Sequence, residues 1–314
     1  MDRPARISTK TEVQVKHRHW LTNLVIRLFK EKPLGTVGGI IILTMLLAGI
    51  FANFLAPYGM NEIDMNLRLT PSSPQHLFGT DALGRDMFSR VIFGARISMI
   101  VGLSAAFIQV ALATLIGIFS GYLGGKFDLI VQRFVDGFMC FPPLFLYLTI
   151  MAVAGAGMVQ VIVVLGLVSG IRSSRIVRSA VISTKVNVYV EAARAIGTSP
   201  LGIIFRHILP NVIAPLIIIF TLAVGVTIMA EATLSFLGFG IPPPTPSWGG
   251  MLSGTARKYM FKAPWLVIWP GAALALVIYG INMLGDAVRD IFDPRLKGGL
   301  GRYSGVKKKT VNKR

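Results

Sequence analysis

The sequence predicts an all-α polytopic membrane protein with six transmembrane helices, and three observations predict it. Of 314 residues, 53% are hydrophobic and only 15% charged, with a mean hydropathy of +0.66. Soluble domains run nearer roughly 45–50% apolar and 25% charged. The apolar residues fall in runs long enough to cross a bilayer, which takes about 20 helical residues each. The 32 Lys and Arg flank those runs asymmetrically: with the N-terminus inside, twenty-five fall in inner segments and seven in outer loops, as the positive-inside rule requires. That placement also removes nucleic acid as the partner suggested by the net charge of +18.

Residues 1–33 are read as a basic cytoplasmic tail with no short apolar core and cleavage site, so no removable leader is expected. Within it, residues 20–30 suit either an amphipathic helix on the membrane surface or a plain solvated tail. Residues 34–56 form the first span, ended by Pro57, and residues 57–96 form an extracytoplasmic loop. A core with five further spans occupies 97–284. Its first span covers 97–121, and the glycine-rich stretch 121–128 turns the chain tightly.

The apolar run 134–171 is too long for one helix and divides at Gly155, Ala156 and Gly157. The first half, the third span, carries Pro142 and Pro143, which must interrupt backbone hydrogen bonding and kink it. The second half, 158–171, is short, but Arg172 and Arg175 can snorkel at its end and let the helix continue past the membrane. Parity demands the division, because one merged span would put the basic segment 172–211 on the opposite side from the basic N-terminus. The fifth span covers 212–233 and the sixth 263–284, with a Pro-rich loop at 240–262. Residues 285–314 close the chain as a basic cytoplasmic tail. No internal repeat supports a duplicated-half carrier.

Between the fourth and fifth spans, residues 191–196 are good helix formers, Gly197 can stop a helix in a left-handed conformation, and Ser199 with Pro200 suits the start of another. Ala192, Ala193 and Ala195 make the first helix slim enough for a groove in another protein, with Glu191 and Arg194 at its rim. In the first outer loop, residues 78–86 read FGTDALGRD. Thr80 and Asp81 can cap a turn there, Gly84 allows an unusual backbone angle, and Arg85, Asp86 and Arg90 are expected to pair with one another. Near the outer end of the fifth span stands Glu231. A carboxylate in hydrocarbon costs about 3 kcal/mol, so it should face the bundle interior, a partner helix or water. The prolines from 242 onward are expected to form a stiff cap with Trp248 at the membrane interface. Asp136 is expected to pair with Arg133 or a neighbouring loop, and the single Cys140 to pack as a small hydrophobe.

Four stretches carry a family resemblance. Glu191, Ala192 and Ala193, then Gly197, then Leu209 and Pro210, resemble the EAA motif of importer-type ABC permeases. The general pattern has an aliphatic residue at the position of His207, and HILPN at 207–211 matches the peptide-permease subgroup. FGTDALGRD at 78–86 resembles a loop signature of the same subgroup. So do EATLSFLG at 231–238 leading through prolines to Ser247, Trp248 and Gly249, and DAVRD at 286–290 followed by Asp293, Pro294 and Arg295. The motifs stand in the expected order between about residue 20 and residue 296. The chain resembles the DppC/OppC-like permeases, which are type I ABC importer permeases.

The resemblance implies a multi-pass subunit of the cell (inner) membrane with both termini cytoplasmic, forming half of a translocation path for di- or oligopeptides or a related solute such as glutathione or a nickel complex. It further implies a heterodimer with a second homologous permease, two ATP-binding cassette ATPase subunits that hold ATP and Mg, an extracytoplasmic substrate-binding protein, and membrane lipid. Glu191, Ala192, Ala193, Arg194, Gly197, Leu209 and Pro210 would couple to the ATPase. Glu231, Ser235 and Phe236 are candidates for the path or gate, with structural pairing of Glu231 to the loop or partner as the other reading. Asp81, Gly84, Arg85 and Asp86 would hold the loop.

Absences point the same way. Gly124, Gly125 and Lys126 are followed by Phe127 and lack the first glycine of a phosphate-binding loop. No nucleophile and base are arranged within the spans, so no catalytic, metal or cofactor residue is assigned and the chain is not expected to be an enzyme. The alternative is an ATP-independent channel or ion-coupled carrier, which the sparse intramembrane charge disfavours. The cargo itself is not written in the sequence.

Overall fold

The computed structural model describes residues 28–292. The proposed surface helix at 20–30 lies mostly outside the described residues, as does the tail beyond residue 292. Within them run ten helices of five or more residues, and five are long and apolar enough to cross a membrane: α1 (Pro33–Ile50), α2 (Met87–Leu123), α5 (Met158–Lys185), α7 (Pro200–Phe236) and α10 (Trp265–Phe292). A sixth candidate span is a broken pair, α3 (Gly125–Met139) and α4 (Pro143–Ala154), bent by 88°. The remaining helices are short: α6 (Val188–Ala195), α8 (Trp248–Leu252) and α9 (Thr255–Tyr259). Residues 57–86 and 238–264 gather at one end of the bundle, here the head. Residues 186–199 lie at the other end, the foot.

Several helices outrun the apolar runs that announce them. α2 begins at Met87 and not near residue 97, because the Asp86 carboxylate accepts from Ser89 N at 2.7 Å and starts the helix among polar residues. It continues to Leu123, so the turn expected over 121–128 shrinks to Gly124 and Gly125, both at positive φ. α5 runs on to Lys185, which converts the first part of the expected loop 172–211 into helix. The third span departs most. The chain breaks at the prolines, and α4 holds only 12 residues, about 18 Å of helix. The apolar residues before the break belong to the amphipathic α3, which leaves the α4 direction nearly at right angles.

The core is centred on α2 and α5, which run parallel, head to foot, with almost no side chain between them at four glycines. A Cβ at Gly166 would stand 2.6 Å from Ile108 Cβ, and one at Gly170 3.0 Å from Gln109 O. From the other helix, a Cβ at Gly117 would stand 2.8 Å from Ser174 O and one at Gly121 3.0 Å from Arg178 O. Each helix thus offers a glycine pair four residues apart, the spacing that lets membrane helices approach closely. α7 packs along α2 through Ile228 and Gly102, and α1 lies on α10 where Gly38 meets Gly280. Lys32 and Asp290 tie the foot ends of those two helices at 2.5 Å.

α3 is held to α5 by charge. Asp128 accepts from Arg178 Nε at 2.6 Å and also bonds Ser120. Asp136 pairs closely with Arg175 and stands 3.6 Å from Arg133. The pairing expected with Arg133 is therefore the weaker of two, because Arg175 on the neighbouring α5 lies closer.

Candidate functional site

At the foot, α6 presents the Glu191 segment to the outside. Val190 and Ala193 face inward, onto a cluster with Val177, Val181, Ile203 and Ile208. Glu191, Ala192 and Arg194 are exposed on the opposite side. Gly197 takes φ +82°, its N–H donates to Arg194 O at 3.0 Å, and Thr198 N donates to Ala193 O at 3.0 Å. These two bonds make a Schellman stop, which needs a left-handed residue. Ser199 Oγ then accepts from Gly202 N at 3.2 Å with Pro200 in the first turn of α7. Leu209 packs against the same cluster, and Pro210 lies exposed. Lacking an N–H, Pro210 follows a wide π turn over Ile204–Ile208, and Asn211 Nδ2 caps the His207 carbonyl at 2.6 Å instead.

Around α6 the surface is apolar without cover. Val188 is 80% exposed and Ile196 84%, beside Val186, Leu201 and Phe205. The platform behind it is stiff: Lys185 Nζ donates to Gly121 O at 2.8 Å and ties α5 to α2.

At the head, FGTDALGRD folds as a hydrogen-bonded knot. Asp81 Oδ1 accepts from Leu83 N and Arg85 N at 2.8 and 3.0 Å, and Oδ2 accepts from Arg85 Nε at 2.7 Å with Arg90 Nε at 3.8 Å. Asp86 does not join this set. It caps α2 and meets His76 Nδ1 at 2.9 Å. The expected pairing among Arg85, Asp86 and Arg90 is thus corrected: Asp81 serves both arginines, because the tight turn with Gly84 at φ +74° folds it back over them. A Cβ at Gly84 would run into Asp64 O.

Trp248 does not face outward, as an interfacial side chain would. It is fully buried, donates to Val91 O at 3.0 Å, and fits because Gly94 leaves room for its ring. Glu231 is likewise fully buried, accepting from Ser235 Oγ at 2.7 Å, and Ser235 Oγ accepts from Ile241 N at 3.2 Å. The Glu231 Oε2 atom has no partner among the described residues. Ser235 lines a head cavity of about 280 Å³ beneath the prolines, and Phe236 is 39% exposed. Cys140 is exposed at the bend between α3 and α4, not packed inside.

Midway along the bundle lies a larger open groove of about 640 Å³ between α2, α4, α5, α7 and α10. Its polar lining includes Gln109, Tyr147, Ser169, Arg172, Ser173 and Asn282.

The sequence of residues 113–298 matches the family model described as the binding-protein-dependent transport system inner membrane component, and residues 21–72 match the N-terminal TM domain of oligopeptide transport permease C. The chain belongs to this inner membrane component family. Curated relatives agree over nearly full length. The glutathione transport system permease protein GsiD of Escherichia coli O6:K15:H31 is 38% identical over 283 residues, 90% of this chain and 91% of the relative. The dipeptide transport system permease protein DppC of Alkalihalophilus pseudofirmus is 40% identical over 268 residues, 85% and 88% respectively. A chain of the MetNI methionine ABC transporter, solved in inward-facing conformations, superposes with a TM-score of 0.55. It is 17% identical and covers 66% of this chain and 98% of its own, a likeness of fold.

Family membership makes the chain the non-catalytic, membrane-spanning permease subunit of an ABC transport system. The family's peptide-type signatures occupy two separate places. Along α7 the Glu191 segment and Glu231 are divided by about 45 Å of helix, so neither can act on the other directly. The groove between them contains none of the residues singled out as path candidates. Gln109 and Tyr147 are single polar residues inside apolar runs on different helices, and Ser173 lies in the polar stretch after the fourth span, so no spacing in the sequence brings the three together. Among the described residues, no group of three or more His, Cys, Asp or Glu could hold a metal ion.

Proposed function

We propose that the chain forms half of the translocation path of an ATP-driven importer for short peptides or a related small solute such as glutathione. Its other half would be a second homologous permease. Two ATPase subunits carrying ATP and Mg would dock at the foot, and a binding protein would deliver cargo at the head. The observation that carries this reading is the 38–40% identity, over most of the chain, to permeases named for glutathione and dipeptide transport.

The site geometry supports the division of labour. α6 is slim, charged at its rim and ringed by uncovered apolar side chains, as a helix seated in another protein's cleft would be. Closure of the ATPase pair would push on α6, and the Lys185 and Asp128 ties would pass that motion to α2 and α3 as one body. We assign Glu191, Ala192, Ala193, Arg194, Gly197, Leu209 and Pro210 to this coupling. Glu231, Ser235 and Phe236 anchor the proline cap at the head and would move with it as a gate, while Asp81, Gly84, Arg85 and Asp86 keep the head loop rigid. We assign the foot and both termini to the cytoplasmic side of the inner membrane, a reading that the charge asymmetry supports.

Substitution at Gly197 tests the coupling. Nothing lies within 4 Å of a Cβ there, so only the backbone angle is challenged. Gly197→Val should leave membrane insertion and assembly intact but abolish ATP-dependent uptake. Gly197→Asn, which tolerates the left-handed region, should retain most of it. Full uptake in a well-expressed Gly197→Val complex would overturn the assignment. Co-purification as a homo-oligomer with no ATPase would overturn the importer reading.

A further inference from the structure

The mid-bundle groove has a polar corner that its own residues leave incomplete. Gln109 on α2 is 7% exposed, and its Nε2 donates to Ser173 Oγ at 2.9 Å. Its Oε1, however, has no partner among the described residues. An amide oxygen in that state is held ready for a donor that arrives from elsewhere. Ser169, Arg172 and Ser173 stand at i, i+3 and i+4 on α5 and share one face. From α4, the Tyr147 hydroxyl meets Ser169 Oγ at 2.8 Å.

Arg172 lies between these two contacts. It donates to Phe141 O at 3.2 Å and has no carboxylate partner among the described residues. Its neighbours on the same helix differ: Arg175 pairs with Asp136 and Arg178 with Asp128. A guanidinium that lines the groove with no carboxylate beside it is open to an anion from outside the chain, and its planar fork suits a carboxylate. The facing wall, with Val226, Met229 and Ile278, is apolar.

Resting on the importer reading above, we propose that this corner is a binding station for cargo in transit. Arg172 takes the free carboxylate of a short peptide, and Gln109 Oε1 accepts its amide N–H. The apolar wall receives the side chain. Dipeptides and glutathione share the required pair of groups, a carboxylate next to an amide, so the station would serve either.

The test uses the assembled transporter in proteoliposomes with its binding protein. The cargoes are a dipeptide, glutathione and the C-terminal amide of the same dipeptide. Each is supplied at a concentration shown by a separate titration to saturate the binding protein. The wild type is measured first, and no uptake of any of them would overturn the importer reading itself. With uptake present, Arg172→Gln should lower maximal carboxylate-cargo uptake about tenfold or more while the amide changes little, so that the preference collapses. Arg172→Lys keeps the charge without the fork and should show an intermediate preference. Gln109→Met should slow dipeptide and amide alike, because both present the N–H. Which of dipeptide and glutathione responds identifies the natural source.

An unchanged ratio of dipeptide to amide uptake in Arg172→Gln would overturn the proposal, whether total uptake is kept or lost. Should that variant fail to assemble, an unchanged ratio in Arg172→Lys overturns it equally.

Discussion

Trp248 shows how much one side chain carries at the head. It is fully buried, its ring lies against Gly94 of α2, and its indole N–H is bonded to Val91 O. Trp248→Ala removes that packing and leaves Val91 O without its donor, a loss of about 3–5 kcal/mol for a large aromatic in a close-packed site. Trp248→Phe restores the volume in part but not the hydrogen bond, and should lose markedly less. Thermal unfolding of the detergent-purified complex measures both. Equal stability of the alanine variant and wild type would mean that the cap is held elsewhere, through Glu231 and Ser235. The sequence places this tryptophan in a proline-rich loop, where an interfacial position is the natural expectation. What it hides is that Gly94, distant in sequence, leaves a slot of the right size. The same limit applies to Asp81 and Asp86. Their presence in a rigid turn is legible, but which of them meets Arg85 depends on how the turn folds back, and residue types alone do not fix that.

At the scale of helices, the seam between α2 and α5 decides whether the bundle forms. Gly170→Leu would drive a side chain into Leu112 and the Gln109 carbonyl, and backbone cannot give way as a flexible side chain can. Gly137 on α3 has nothing within 4 Å of a Cβ and is the matched control. We expect Gly170→Leu to lower the unfolding temperature sharply and reduce the yield of assembled complex, with Gly137→Ala neutral to slightly stabilising. A stable Gly170→Leu variant would show that the helices can separate without penalty. The glycine pairs at 117 and 121 and at 166 and 170 are visible in the sequence as small residues four apart, yet the spacing says nothing of which helix answers which. Five spans, by contrast, are legible from apolar run length, while the sixth rests on charge parity and on the bent pair of α3 and α4. Pro142 and Pro143 announced a disturbed third span, because a missing N–H has consequences wherever it lies. They did not announce an 88° bend, since proline spacing says nothing of the Asp128 and Asp136 pairs that hold α3 against α5 in the bent arrangement.

For the whole molecule, we infer which way it sits from charge alone. Alternating helices put residues 57–86 and 238–264 together at the head and residues 186–199 at the foot, and only the distribution of Lys and Arg says which of them meets the cytoplasm. Lone cysteines make the choice measurable. In a Cys140→Ser background, Ser72→Cys at the head and Asn187→Cys at the foot are both at exposed positions, so a membrane-impermeant maleimide should reach each from its own side. We expect labelling of Ser72→Cys in intact cells stripped of any outer barrier, and of Asn187→Cys only after the membrane is opened. The reverse pattern would put α6 outside, out of reach of any ATPase, and would defeat the coupling assignment even if the family relationship stood. Labelling of both from outside would mean that α3 and α4 do not together cross, because α4 alone, at about 18 Å, is much shorter than a hydrocarbon core of about 30 Å. One experiment therefore reads both the orientation and the sixth crossing.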